Sequence, residues 1–474
     1  MLTRTSAVLI ASVVLCALTG VFGVAGAAAS EASQGGDAPR NARLAVETET
    51  GSEASRDLTA GPGMSGPGMS VPEPSLAVDS SLLPKLGRMA LLSQLAVLPA
   101  DAISSFMRDN RGAVSSLLAA PPTARAVASW WNVLPEPSRS SLALGAPQLV
   151  GNLDGVPADI RDTANRVFLD DEVDSLAEGL DGLGRAERAD SEKRLHMLRE
   201  IQESLVTSDD EPERSLLSVD TQWPGRAAVV VGDLETADFV SFMVPGMFFT
   251  VDGQMVDWTV ISQDLHAEQV EWVETLGRSD PQMRGATVAT VSWIGYQTPG
   301  VLDIASLDLA KEGAVFLSNA VAGVQQTRVG DEPYLSLMTH SYGSTATMIA
   351  LADGDVDVDS LVIIGSPGSA AQSVDELGMT EDTVFVGEAA WDPVVDTAFF
   401  GSDPGADSFG ASAMDVSGGI DPITGVELTA ATGHLGYFDA GTEAMRNMAL
   451  VGLDRGDLVV GSGEPRVGRL LAQR

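Results

Sequence analysis

The spacing of hydrophobic residues divides most of the chain into two patterned regions. Between residues 80 and 206, apolar side chains recur every three or four positions, as they do along one face of an amphipathic helix. Beyond Trp223, short apolar runs rich in β-branched residues alternate with helical segments. Alternation of this kind is typical of a mostly parallel sheet flanked by helices. The sequence therefore predicts an α/β fold with an N-terminal helical region.

The second region contains a series of predicted strands, at residues 227–231, 239–244, 286–293, 334–339, 360–364 and 383–386. Helical patterns at residues 260–276, 307–321 and 344–351 separate most of them. The first two strands are joined by residues 232–238 alone, which is too short a connection for a crossover helix. We therefore expect these two strands to form an antiparallel hairpin.

The first 77 residues lack such a pattern. Arg4 precedes an apolar run at residues 7–24 and small residues at 25–29, which predicts a signal peptide over residues 1–29. A retained membrane anchor is the alternative, because the run is close to the shortest length that spans a bilayer. Residues 30–77 are rich in Gly, Ser and Pro and repeat the pentapeptide GPGMS, so we expect a disordered linker.

These patterns predict how the rest of the chain is organised. Residues 78–220 form the helical region, which acts either as a cap or as an accessory module that binds a partner. Residues 221–474 form the catalytic domain. Cleavage of the signal peptide predicts a secreted or cell-surface protein.

Charge and cysteine content restrict the chemistry. The 474 residues include 28 Lys and Arg and 66 Asp and Glu, a formal net charge of −38. Nucleic acid and anionic membrane surfaces would be repelled, so neither is an expected partner. Cys16 is the one cysteine and lies in the predicted signal peptide, which excludes thiol nucleophiles and thiolate metal sites from the mature chain. No metal ion and no organic cofactor is expected.

The candidate nucleophile is Ser341, which lies between a predicted strand and a predicted helix in the sequence THSYGS. A nucleophile elbow is a strand-to-helix turn of this kind, with small residues flanking the serine. Gly343 meets that requirement. Thr339 stands where the G-x-S-x-G pattern usually has its first glycine, which predicts looser packing or a shifted helix.

A serine nucleophile needs a histidine base, and the chain has four histidines. His196 and His266 lie in predicted helices, and His340 lies within the elbow. His434 follows the last predicted strand, where the order serine, acid, histidine of α/β hydrolases places the base. His434 is therefore the predicted base.

The acid of such a triad lies between the serine and the histidine, at the end of a strand. Asp392 follows the strand at residues 383–386 by a short loop and is the predicted acid. Glu388 is the second candidate.

An oxyanion hole requires two backbone N–H groups. The residue after the nucleophile, Tyr342, is expected to supply one of them. Gly246 or Met247, at the end of an earlier predicted strand, is expected to supply the other.

Several segments in this order carry a resemblance to a known family: WWNVLPEPSRSSL, GNLDGVPADIRDTANR, GDLETADFVSFMVPG, ATVSWIGYQTP, THSYGS and GHLGYF. Together they resemble the actinobacterial α/β-hydrolase family once catalogued as domain of unknown function DUF1023. The resemblance implies an α/β-hydrolase fold with Ser341, His434 and Asp392 at catalytic positions. It implies no substrate.

We therefore expect a secreted serine hydrolase that acts through an acyl-enzyme on a small-molecule or lipid-like ester, with an amide as the less favoured bond. The alternative is a cell-surface binding or scaffold protein that keeps the fold without turnover, as Thr339 and the linker suggest. Trp293, Tyr296 and Pro299 follow a strand and either line the pocket or pack in the core.

Overall fold

The computed structural model describes residues 82–300, 303–354 and 356–461. The predicted signal peptide and linker lie outside these described residues. The helices before the first strand are α1 Arg88–Leu95, α2 Ala100–Asp109, α3 Arg111–Ala119, α4 Ala124–Val133, α5 Glu136–Gly145, α6 Pro147–Gly151, α7 Ala158–Gly179 and α8 Arg185–Ser204. The predicted N-terminal helical region is therefore helical.

Strands and helices alternate in the remainder. The strands are β1 Arg214–Asp220, β2 Arg226–Val231, β3 Phe239–Val244, β4 Val288–Ile294, β5 Tyr334–His340, β6 Ser360–Ile364, β7 Val384–Gly387, β8 Ser412–Met414, β9 Gly419–Ile420 and β10 Glu427–Leu428. The helices are α9 Val251–Gly277, α10 Asp308–Thr327, α11 Tyr342–Ala352 and α12 Glu443–Val451. Each predicted strand is present to within two residues at either end.

The main sheet has the strand order β1-β2-β4-β3-β5-β6-β7-β8, and β9 pairs separately with β10. β1, β2 and β4 pair antiparallel, whereas β4 and every later neighbour in the order pair parallel. The parallel strands end at one edge of the sheet, where their following loops meet. Loops at this edge are where an open α/β sheet binds its ligands.

The predicted hairpin of β2 and β3 is wrong. β4 lies between them, with Ala228 opposite Trp293 on one side and Ser241 opposite Thr290 on the other. The connection at residues 232–238 passes over the end of β4 and is held by Arg328, whose guanidinium donates to the carbonyl oxygen of Ala237. The antiparallel direction was predicted correctly, but the neighbour of each strand was not.

Both faces of the sheet are covered. Met243, Met338 and Val362 join one apolar cluster with residues of α9 and α12. The intervening Leu337 and Ile363 are also buried. Runs that are apolar at every position suit strands with helices on both sides.

The N-terminal helices pack against the β1 end of the sheet. The side-chain amide of Asn165 on α7 donates to the carbonyl oxygen of Leu216 on β1 at 2.9 Å. α8 packs on α9, and α4 packs on α10. β1 belongs to the sheet, so the sheet begins before residue 221, where the catalytic domain was predicted to start. Among the residues that the structure describes, no helix is both long and apolar enough to cross a membrane.

Candidate active site

Ser341 occupies the turn between β5 and α11. Its backbone has φ 54° and ψ −130°, a strained conformation for a residue with a side chain, as a nucleophile elbow requires. Its N–H donates to the carbonyl oxygen of Ile364 on β6 at 3.0 Å, which holds the turn against the sheet. A Cβ atom on Gly343 would lie 2.3 Å from the carbonyl oxygen of Pro245, so only glycine fits there.

Thr339 fits the sheet without displacing the elbow. Its hydroxyl is buried and donates to the carbonyl oxygen of Val362 at 2.7 Å. β5 continues to His340, and α11 begins at Tyr342. The looser packing or shifted helix that Thr339 predicted is therefore not seen, because the hydroxyl has a backbone partner on β6.

His434 connects the serine to the acid. Its Nε2 atom lies 2.9 Å from Ser341 Oγ, and its Nδ1 atom lies 2.9 Å and 3.1 Å from the two carboxylate oxygens of Asp392. An ionised carboxylate only accepts hydrogen bonds, so Nδ1 carries the proton of a neutral ring and Nε2 accepts from the serine hydroxyl. All three residues are buried.

Asp392 receives three sets of donors. Besides His434, the N–H of Val394 donates to Oδ1 at 2.9 Å and the hydroxyl of Tyr437 donates to Oδ2 at 2.8 Å. Burial alone would raise the pKa of Asp392, but these hydrogen bonds and the attraction to His434 in its protonated form outweigh it and lower that pKa below its usual value. The carboxylate is thus kept ionised.

Short backbone contacts join the loop that contains Asp392, here called the acid loop, to the loop that contains His434, here called the base loop. Ala390 pairs with Thr432 as an isolated bridge, and the N–H of Gly433 donates to the carbonyl oxygen of Ala390 at 2.9 Å. Gly365 lies against the pair: a Cβ atom there would be 3.0 Å from Asp392 Oδ2 and 3.1 Å from the His434 ring. A side chain at residue 365 would therefore push the acid and the base apart.

Glu388, the second candidate acid, is not among the hydrogen-bond partners of His434. Burial raises the pKa of Glu388 to about 7, and the charges of Asp396, Asp403 and Asp392 add to that rise. Carboxylate oxygens of Glu388, Asp396 and Asp403 lie within 4.8 Å of one another. Among the residues that the structure describes, these three form the cluster whose oxygens could ligate a metal ion. They lie outside the hydrogen-bonded chain from Ser341 to Asp392.

Two of the predicted oxyanion residues, Gly246 and Tyr342, lie next to Ser341. A Cβ atom on Gly246 would lie 2.5 Å from Ser341 Cβ and 3.0 Å from its Oγ, so the glycine backbone packs directly on the nucleophile. Met247 follows it and is buried. Tyr342 is the first residue of α11, and its N–H has no partner within the helix. Backbone groups of both predicted segments thus lie beside the serine.

Two tyrosines hold the segments beside Ser341 in place. The sequence predicted neither of these roles. The hydroxyl of Tyr296 donates to the carbonyl oxygen of Pro245 at 2.8 Å, which fixes the loop that contains Gly246. The hydroxyl of Tyr342 donates to Ser306 at 2.7 Å, and burial raises the pKa of Tyr342 to about 12. The Tyr296 and Tyr342 rings stack on each other. Tyr296 is buried in this packing, and together with Pro299 it also lines a small cavity of about 190 Å³.

His340 packs against His434 and hydrogen-bonds to its backbone. Its Nε2 atom lies 2.7 Å from the carbonyl oxygen of His434, so this nitrogen carries the proton. Burial, together with repulsion from His434 when that ring is protonated, lowers the pKa of His340 to about 3. The ring remains neutral and packs 4.5 Å from the His434 ring.

The comparisons with known proteins agree with this architecture. Residues 220–402 match a family model described as "Alpha/beta hydrolase". This part of the chain is therefore similar to α/β hydrolases. The match contains Ser341 and Asp392 and ends before His434. The resemblance to the family once named DUF1023 is confirmed, as is the predicted α/β-hydrolase fold.

Similar proteins occur in mycobacteria. The uncharacterized protein Rv2079 of Mycobacterium tuberculosis (strain ATCC 25618 / H37Rv) is 27% identical over 390 residues, which cover 70% of this chain and 56% of that protein. The uncharacterized protein Rv0963c of the same strain is 28% identical over 225 residues, which cover 47% of this chain and 80% of that protein. This chain thus spans little more than half the length of its larger relative.

Solved structures with distant similarity include two esterases. Carboxyl esterase 2 of Tuber melanosporum is 13% identical with a TM-score of 0.31, covering 54% of this chain and 89% of that one. A hyperthermophilic esterase of Pyrobaculum calidifontis is 12% identical with a TM-score of 0.33, covering 60% of this chain and 98% of that one. TM-scores of this size give no basis for assigning an activity.

Proposed function

We propose that this α/β hydrolase is a serine hydrolase that cleaves carboxylic esters through an acyl-enzyme on Ser341. The observation that carries the proposal is the continuous hydrogen-bonded chain from Ser341 Oγ through His434 to Asp392, with distances of 2.9 Å at the serine and 2.9 Å and 3.1 Å at the acid. A serine hydroxyl becomes a useful nucleophile only when a base accepts its proton, and this chain supplies the base.

The first half-reaction forms the acyl-enzyme. Ser341 Oγ attacks the carbonyl carbon of the ester, and its proton moves to His434 Nε2. Asp392 stabilises the resulting imidazolium and holds its orientation. The N–H groups of Tyr342 and of Gly246 or Met247 stabilise the negative oxygen of the tetrahedral intermediate. The intermediate then expels the alkoxide, which takes the proton from His434 and leaves as an alcohol.

The second half-reaction regenerates the enzyme. His434 takes a proton from a water molecule, whose oxygen attacks the acyl carbon. The second tetrahedral intermediate breaks its bond to Ser341 Oγ, which recovers the proton from His434. The carboxylic acid is released. Apart from the ester and this water molecule, each step uses only side chains and backbone groups of this chain.

Esters are proposed ahead of amides because an alkoxide leaves more readily than an amide nitrogen, which must be protonated as it departs. A small-molecule or lipid-like ester is the proposed substrate class. We also propose that the chain acts outside the cell after loss of residues 1–29, as the predicted signal peptide suggests.

A non-catalytic binding or scaffold role is the second candidate. One of the observations that suggested it no longer favours it. Thr339 suggested it, yet the Thr339 hydroxyl has a backbone partner and the elbow keeps its strained turn. No feature of the described residues favours this role over hydrolysis.

A substrate panel tests the proposal. The purified protein is assayed on p-nitrophenyl esters from acetate to palmitate and on the matching p-nitroanilides. We expect hydrolysis of at least one ester, slower or no hydrolysis of its anilide, and loss of activity in Ser341→Ala. Ser116→Ala, which changes an exposed serine on α3, serves as the matched control and should keep full activity. An active Ser341→Ala protein, or inactivity on every ester, would contradict the proposal.

A further inference from the structure

A concave surface lies beside β7 and β8, and residues 388–392 of the acid loop form part of its lining. We call it the acidic groove; its volume is about 600 Å³. Its floor is apolar and buried and includes Val386, Met414 and Val416. Its rim carries the carboxylates of Glu388 and Asp396. No lysine or arginine is among the described residues that line it.

Negative charge is concentrated at this rim. Glu388 and Asp396 approach Asp403 so closely that one oxygen of each lies within 4.8 Å of the others. None of the three forms an ion pair with a lysine or arginine in the described part of the chain, whereas Asp392 in the same loop is hydrogen-bonded to His434 and Tyr437. Like charges at this distance repel one another, so a cationic group bound here would relieve the repulsion.

The end of the described chain lies at the same groove. Asp415, which lines the groove, donates its backbone N–H to the carbonyl oxygen of Val460 at 2.8 Å. The description ends one residue later, at Gly461. The described part of the chain therefore ends beside the groove.

The sequence of residues 462–474, SGEPRVGRLLAQR, is unlike the rest of the protein. It carries three arginines and one acid, whereas the whole chain has a formal net charge of −38. Val467, Leu470 and Leu471 stand among these arginines. A segment that combines positive charge with apolar side chains is complementary to a groove with an acidic rim and an apolar floor.

We propose that the acidic groove binds residues 462–474 of the same chain. Arg466 and Arg469 lie against the rim carboxylates, and the apolar residues of the segment cover the floor. The segment needs to reach only a short distance, because thirteen residues extend up to about 40 Å. A short tether also gives an effective concentration on the order of millimolar, so a weak interaction is enough to fill the groove. Bound there, the segment reinforces the loop that holds Asp392.

Disulfide trapping in the full chain tests this binding. In a Cys16→Ser background, Ala413→Cys in the groove is paired with Gly468→Cys in the segment. The control pair combines Gly468→Cys with Val329→Cys, an exposed position just before β5 at the opposite edge of the sheet. After mild oxidation, we expect an intramolecular bond between residues 413 and 468 in about tenfold higher yield than between 329 and 468.

The role of charge is tested in the same background. Glu388→Gln, Asp396→Asn and Asp403→Asn together should lower the 413–468 yield, as should about 1 M sodium chloride. Equal yields for the two cysteine pairs would overturn the proposal, and so would bonds formed only between chains, which would make a second copy the occupant. A 413–468 yield unaffected by both the triple substitution and the salt would overturn the proposal that the three carboxylates attract the arginines of the segment. These measurements do not depend on catalysis by Ser341.

Discussion

Asp392 and Glu388 lie four residues apart in one loop but have different neighbours. Asp392 points into the hydrogen-bonded centre, where donors from three residues lower its pKa. Glu388 points into the acidic groove, where burial and neighbouring carboxylates raise its pKa to about 7. The chemistry of each carboxylate is therefore set by the groups around it and not by its distance along the chain from the strand.

The two regions also differ in how complete they are. At the Asp392 side, the acid, the base and the serine satisfy one another within the described residues. At the Glu388 side, the charges have no cationic partner in the described part of the chain. The first arrangement is suited to moving a proton, and the second is suited to binding a cationic group.

Matched amide substitutions at the two carboxylates should give the largest difference. Asp392→Asn leaves the size of the side chain unchanged but removes the acceptor that fixes the proton on His434 Nδ1, so we expect kcat to fall about 10⁴-fold. Glu388→Gln should lower kcat by less than about tenfold, because Glu388 does not contact the base. Ester hydrolysis measured at saturating substrate checks both values. Equal losses of kcat in the two variants would mean that Asp392 and Glu388 do not differ in their contribution to catalysis.

Gly246 gives the next largest effect. The methyl group of Gly246→Ala would meet the Ser341 side chain at 2.5 Å, which displaces either the nucleophile or the oxyanion loop. We expect kcat/KM to fall about 10²- to 10³-fold, as when an oxyanion donor is lost. Gly112→Ala is the matched control, because nothing lies within 4 Å of that Cβ position. Normal activity in Gly246→Ala would show that the loop does not lie against the serine.

Tyr437→Phe should have a smaller effect on the same region. It removes the hydroxyl that donates to Asp392 at 2.8 Å, and a hydrogen bond to a charged group contributes about 1.5–3 kcal/mol. The pKa of Asp392 should then rise towards its usual value, and kcat should fall about tenfold with its acid limb moved to higher pH. Tyr334→Phe, on β5 away from the acid, provides the comparison. A pH profile that matches the wild type would contradict the positioning role.

The smallest expected effect is on stability at the Glu388 side. The folded-state pKa of Glu388 is about 7, above the usual value of 4.5 that the unfolded chain is expected to have. Ionisation of Glu388 therefore destabilises the fold progressively between about pH 4.5 and 7. Glu388→Gln should raise the melting temperature at pH 8 and leave it unchanged at pH 4. A gain of equal size at both pH values would contradict the raised pKa.

Much of the site could be predicted from the sequence because each choice had few alternatives. The order serine, acid, histidine left His434 as the one eligible base, and a strand before and a helix after Ser341 indicated the elbow. The structure places His434 within hydrogen-bond distance of both Ser341 and Asp392, and the catalytic roles of the three residues stay a prediction. Apolar runs also predicted most strands, since strands buried on both faces have little polar content.

What the sequence did not predict depends on contacts between distant segments. The neighbour of β2 is β4, and nothing in the short connection from β2 to β3 indicates a strand that occurs later in the chain. Gly365 and Tyr296 support the site only through the fold, because their partners lie on other loops. Tyr437 had a local signal, since it follows His434 by three residues in the sequence GHLGYF, but its partner Asp392 is visible only in three dimensions.

The central claim, that His434 and Asp392 make Ser341 a reactive nucleophile, is tested most directly by a fluorophosphonate probe. The probe is added to the purified protein, and the modified residue is located by mass spectrometry after proteolysis. We predict a single adduct on Ser341, formed far more slowly in Asp392→Asn and absent from Ser341→Ala. No adduct on the wild-type protein, or equal labelling of Ser341→Ala, would contradict the claim.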